Sequence, residues 1–139
     1  MRYKNLISTS ISQKDIDEIL KAIERINNLL PHLITLSNEE KASLPKVSFS
    51  NIDFVNEVLD MAEENPDQVP ETINIPEMRK DIELIESITK ILRPLKLLEK
   101  KLEDSALLAG SEAYIPSLAI FNSMRMRNKD YRGRRVTVG

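Results

Sequence analysis

Residues 76–102 read PEMRKDIELIESITKILRPLKLLEKKL. Met78, Ile82, Ile85, Ile88, Leu92, Leu95, Leu98 and Leu102 recur there at steps of three and four. That is the period of an α-helix with one apolar stripe. Pro76 suits a first helical turn, where a missing N–H costs little. Pro94 removes the hydrogen bond to the Lys90 carbonyl and predicts a bend. No other stretch of the chain is as regular, so the rest is read outward from it.

Upstream, Pro66, Pro70 and Pro76 punctuate a segment that predicts a stiff, extended crossover. Before it, Ser50 and Asp53 predict the cap of a helix whose apolar face is Phe54, Val55, Val58, Leu59 and Ala62. Asn65–Pro66 should end that helix, because a residue before proline avoids helical backbone angles. Ser37 and Glu40 form a capping pattern that predicts a short turn of helix over 38–43, stopped by Pro45. The first helix opens at Ser12 and Asp15. It carries Ile16, Leu20, Ile23, Ile26, Leu30 and Leu33 and should kink or end at Pro31. Residues 1–11 read as a flexible leader.

Downstream, a fourth helix is expected over 105–127, capped by Asp104 or Ser105; Gly110–Ser111 is the alternative boundary. The earlier start is preferred, since antiparallel neighbours of similar length bury each other better. It places Gly110 inside the helix. There Ala106, Gly110, Ala113 and Ser117 form a stripe of small residues that would admit another helix closely. Leu107, Tyr114, Leu118 and Phe121 form a large apolar stripe beside it. The expectation is an all-α fold: an antiparallel four-helix bundle over 12–127 with a basic, flexible C-terminal tail over 128–139.

Composition narrows the chemistry. The 139 residues fit one domain, and 41% are hydrophobic, enough for a core. Three glycines argue against an all-β fold with many tight turns and against a Gly-rich phosphate loop. With no cysteine and one histidine, disulfides, thiol catalysis and zinc clusters are excluded. No apolar run reaches the ~18–20 residues of a membrane helix, and the leader lacks a secretory signal. The expected location is the cytoplasm. The net charge of −2 hides a split. Residues 125–139 hold six basic groups and one acid, leaving +5 there and −7 on the remainder. An acidic body with a basic tail is the strongest compositional signal.

Asp53, Glu57, Asp60 and Glu64 share one helical face and could hold a divalent cation, although a solvated face is the plainer reading. Lys90, Arg93, Lys96 and Lys100 form a basic stripe that could receive phosphates or pair with the acidic one. His32 stands at a helix end, with no acid placed to make it a base. Ser111, Tyr114 and Asn122 fall on the inner side of the fourth helix, where they would line a small polar pocket or satisfy one another. Glu112 points ~140° away from Leu107 and should face solvent. The partner-binding candidates are Arg125, Arg127, Lys129, Arg132, Arg134 and Arg135, interleaved with Tyr131. Arginine forks suit phosphates, and an aromatic ring could stack on a base.

Two stretches carry a resemblance: FVNEVLDMAEENPDQVP at 54–70 and LEKKLEDSALLAGSEAYIPSLAIFNSMR at 98–125. With the LPK at 44–46, they resemble a family of small, all-helical, uncharacterised bacterial proteins. Its marks are an NP-x-x-VP loop, here Asn65, Pro66, Val69 and Pro70, and an AGSEAY helix, here Ala109 to Tyr114. The resemblance implies a four-helix bundle and brings no activity, cofactor or catalytic residue. Pro116 and the basic ending depart from the family pattern. The expected function is a non-enzymatic protein-interaction module without cofactors, with self-association left open. The alternatives are a basic-armed nucleic-acid- or ribosome-associated factor, and a metal-binding or enzymatic bundle using the carboxylates of 53–64.

Overall fold

The structure is a computed structural model that describes residues 5–46 and 49–127, with Phe49 and Ser50 described in their backbone alone. All regular structure among the described residues is helical. The elements are α1 (Gln13–Leu29), α2 (Asn38–Ser43), α3 (Phe49–Glu64), a 3-10 turn (Pro66–Gln68) and α4 (Ile75–Arg127). The chain divides into two compact units. One is Ile11–Pro94; the other joins the first ten residues to the chain from Leu95 onward.

In the unit Ile11–Pro94, helix boundaries follow local chemistry. Ser12 Oγ accepts the Asp15 N–H at 3.1 Å and opens α1. Pro31 has no N–H to continue the ladder, and α1 ends at Leu29. Ser37 Oγ accepts the Glu40 N–H at 3.1 Å to open α2. Helix α3 begins at Phe49, one residue before its expected cap. It ends where the Asn65 side-chain amide donates to the Met61 carbonyl at 3.0 Å, ahead of Pro66.

The segment after α3 is not the extended crossover expected from its prolines. Gln68 N–H bonds the Asn65 carbonyl at 3.0 Å, and Ile73 N–H bonds the Pro70 carbonyl at 3.0 Å. Pro66 and Pro70 preset the φ of tight turns, so proline spacing marks two reversals rather than a rod. Asn74 then accepts the Glu77 N–H at 3.1 Å on its Oδ1 and caps α4, a signal the sequence reading passed over in favour of Pro76.

The core of this unit is the seam between α3 and the start of α4. Arg79 Nε donates to Glu63 Oε1 at 2.7 Å, and ten residues back along α3, Asp53 shares a hollow with Lys90 and Arg93. Chain numbers therefore run in opposite directions along the two helices. One turn from that ion pair, Leu59 and Ile82 fall at the same level. Among the described residues they are the buried apolar ones, 1% and 5% exposed. The covered face of α3 is Ile52, Val55, Asn56, Leu59 and Ala62. Phe54, expected on it, stands 65% exposed because it points about 100° away from Val55.

The expected third and fourth helices are one. Helix α4 runs 53 residues, through Pro94, Gly110 and Pro116. Residues 95–111 are mostly Leu, Lys, Glu and Ala, all strong helix formers. Asp104, the candidate cap, is instead paired with Lys100 at 2.9 Å one turn earlier. Gly110 does not take the left-handed φ of a C-cap. Pro116 forfeits only the bond to the Glu112 carbonyl, and the helix continues past it. The domain expectations for 128–139 lie outside the described residues.

Candidate functional site

The hairpin of α3 and early α4 carries two hollows. At its closed end, Val58, Met61, Ala62, Val69, Ile73 and Met78 line a hollow of about 400 Å³. Its polar side chains are Asn65 and Gln68, and no titratable group lines it. Such a cup fits an apolar side chain and offers no acid, base or nucleophile. The second, of about 410 Å³, is lined by Asp53 and Asn56 from α3 and by Thr89, Lys90 and Arg93 from α4. The Asn56 side chain is occupied structurally, donating to the Ile52 carbonyl at 3.1 Å. Elsewhere on the hairpin, the hydrogen bond that Arg79 donates to Glu63 raises the Arg79 guanidinium above its ordinary value.

The unit containing late α4 has a different feature. Glu112, expected to face solvent, is 7% exposed. Its Oε1 accepts the backbone N–H of Leu6 at 2.6 Å and that of Ile7 at 3.3 Å. The Asn5 amide, oriented with its nitrogen toward the carboxylate, donates to Oε2. Carboxylate hydrogen bonds of this kind are the strong ones. They pin Asn5–Ile7 along the row Leu108, Glu112 and Pro116, each one turn from the next. The helical wheel failed here because it sees only neighbours on the same helix. The covering segment lies more than a hundred residues away in sequence.

Apolar surface remains open on both units. Ile19, Leu20, Ile23 and Ile26 of α1 are exposed, although they form one stripe. Leu102, Leu107, Tyr114, Leu118 and Ile120 of late α4 are exposed as well. Gly110 has open space: within its unit a Cβ there would meet no heavy atom within 4 Å. Within its unit, no helix makes the close approach expected at the small-residue stripe.

The predicted residues distribute as follows. Asp53, Glu57, Asp60 and Glu64 are all exposed along α3. Among the described residues no three acidic or histidine side chains gather where one metal ion could be held, so the carboxylate stripe forms no such centre. Among the described residues, the acid of α3 that forms an ion pair is Glu63, which lies off that stripe. Lys90 and Arg93 line the second hollow together with Asp53, and Lys100 pairs within its own helix. His32 is exposed in the turn after α1, and Ser111, Tyr114 and Asn122 are exposed rather than enclosed. Arg125 and Arg127 are exposed in the last turn of α4. Lys129, Arg132, Arg134 and Arg135 lie outside the described residues. No described helix is long and apolar enough to cross a membrane. Comparison with protein families, curated proteins and solved structures finds no match for this chain.

Proposed function

We propose that this chain is a non-enzymatic protein-interaction module that presents apolar helical faces to a protein partner in the cytoplasm. The observation that supports the reading most directly is α1. Its stripe of Ile19, Leu20, Ile23 and Ile26 is exposed, while Lys21 lies on the opposite face. An apolar stripe of this kind is the signature of a helix that packs on something. A second support is the helix count. With α4 continuous and α2 only six residues long, three long helices remain among the described residues. An antiparallel four-helix bundle then needs one further helix, and we take a partner to supply it. The resemblance to small bacterial helical proteins belongs to the same reading.

A photo-crosslinking residue placed at Ile23 in the source cell should give a discrete protein adduct, and one at Lys21 should not. Equal labelling from both positions, or none from either, would overturn the reading.

A second reading, a basic arm for nucleic acid, draws on the charge split and on exposed Arg125 and Arg127 at the end of α4. Phosphate contacts predict binding that weakens steeply as salt rises. Salt-insensitive binding, or none, would remove it.

A further inference from the structure

The hollow at the closed end of the hairpin lies within the unit Ile11–Pro94 alone. Its wall leaves Val58, Met61 and Ile73 exposed, although all three are large apolar side chains. At about 400 Å³ it is in the size range of pockets that take ligands. A small-molecule site would also carry a few convergent polar groups that fix an orientation. Here no charged group lines the wall, and the Asn65 amide is occupied by the Met61 carbonyl. Met61 and Met78 both line it, and their flexible thioether chains adapt to side chains of varied shape. The hollow therefore suits the apolar anchors of a peptide, in the way a groove takes one face of an amphipathic helix.

The surroundings set the charge of that peptide. Residues 47–78 hold eight acids and no lysine, arginine or histidine. Glu64, Asp67 and Glu71 adjoin the lining residues Asn65, Gln68 and Pro70 in sequence, and all three acids are exposed. Consecutive Cα atoms are about 3.8 Å apart, so these acids stand at the edge of the hollow. Glu63 and Glu77 are paired with Arg79 and Lys80, whereas Glu64, Asp67 and Glu71 form no ion pair among the described residues. Helix α3 ends here at Glu64 with no base in its last turn, so the partial negative charge of its C-terminus adds to theirs. A nucleic acid, an anionic lipid surface or an acidic peptide would meet like charge at this end. Lysine or arginine beside an apolar anchor would meet opposite charge, which also steers encounter.

We propose that this hollow docks a basic amphipathic helix of a partner protein, with apolar anchors in the hollow and lysines or arginines against Glu64, Asp67 and Glu71. This rests on the protein-interaction reading and gives it a site and a partner chemistry.

The probe is a synthetic peptide of leucines and lysines patterned as an amphipathic helix, added to the full chain with its methionine methyl groups labelled for NMR. It should bind and shift the methyl signals of Met61 and Met78, leaving those of Met124 and Met126 in place. The same peptide with glutamate for lysine, or with serine for leucine, should bind at least roughly fivefold more weakly. Met61→Ser should weaken the leucine–lysine peptide by roughly fivefold to thirtyfold, the range of an anchor contact, and Met61→Leu should restore it. Asp67→Asn combined with Glu71→Gln should weaken it by roughly twofold to tenfold at low salt, and by less as salt rises. Both positions are exposed, so the helical circular dichroism should not change. Glu18→Gln combined with Glu24→Gln in α1 makes an equal charge change and should leave the affinity as it was. No binding, equal binding of either altered peptide, or binding that leaves Met61 and Met78 unmoved overturns the proposal. So does an equal loss from the α1 substitutions, which would show a diffuse attraction to the acidic body. If the Met61 and Met78 signals move with protein concentration when no peptide is present, a second copy fills the hollow and the proposal fails as well. In each of these cases a discrete adduct from Ile23 to a different protein would leave the broader reading standing.

Discussion

The beginning and the middle of α4 carry the same apolar repeat and meet different fates. Ile82, opposite α3, is 5% exposed, whereas Leu102, five to six turns further on, is 58% exposed. Periodicity says which residues share a face. It does not say whether this chain covers that face. In the hairpin, the reversal at Pro66–Ile73 brings α3 back along α4 and supplies the cover. Beyond Pro94 the covered row is the one under Asn5–Ile7, centred on Glu112 rather than on a leucine.

The sharpest way to break this comparison is truncation on each side of it. Leu59→Ala should cost about 2–5 kcal/mol, because it removes buried volume that its neighbours fill only in part. In dilute protein, Leu102→Ala should stay within ~0.5 kcal/mol, as surface changes do. Leu95, mid-stripe in the sequence, belongs with Leu102, since it is also exposed. Chemical denaturation of the two variants measures the difference. Equal losses would mean that late α4 has a core of its own.

The next test concerns the polar anchor. Glu112→Leu should remove the acceptor of the Leu6 and Ile7 N–H groups, a loss of roughly 1.5–3 kcal/mol for bonds to a charged group. Hydrogen exchange at those two amides should quicken markedly, while amides near Leu59 keep their protection. Glu112→Gln retains one acceptor oxygen and should fall between. Unchanged exchange at Leu6 and Ile7 would dissociate the leader from Glu112.

What the sequence disclosed follows the same division. Signals acting within a few residues were legible: the Ser12 and Ser37 caps, the stop at Pro31, the stop at Asn65–Pro66. So was the stripe through Ile82. The join between the expected third and fourth helices was misread because Asp104 and Ser105 look like caps. Only the Lys100 contact shows Asp104 acting along the helix instead. Glu112 was misread because its partners lie at the far end of the chain. Phe54 was misread because a broad apolar run offers two overlapping faces, and the partner helix selects one. The basic tail, the main candidate from charge, falls largely outside the described residues.

Gly110 tests the helix join itself. The reading with close packing at the small-residue stripe expects Gly110→Leu to clash. The open space around Gly110 within its unit expects no clash. Gly110→Ala should stabilise by about 0.5–1 kcal/mol, the usual gain inside a helix. A destabilised Ala variant would show a left-handed backbone at 110 and hence a break in α4.

The smallest expected effect belongs to the ion pair that closes the hairpin. Arg79 and Glu63 are both partly exposed, with side chains 43% and 38% accessible. Water and salt screen such pairs, so Arg79→Ala should cost only ~0–1 kcal/mol. The effect should shrink as ionic strength rises, because the attraction is electrostatic. Arg79→Met keeps the apolar stem over Glu63 and separates stem packing from charge. If Arg79→Met matched the parent chain while Arg79→Ala did not, the contact would be packing that happens to carry a charge. If both variants lost stability equally and salt abolished the loss, the ion pair itself would hold the register. Leu59 facing Ile82 would then depend on a charge at the end of the hairpin as well as on the fit of its core.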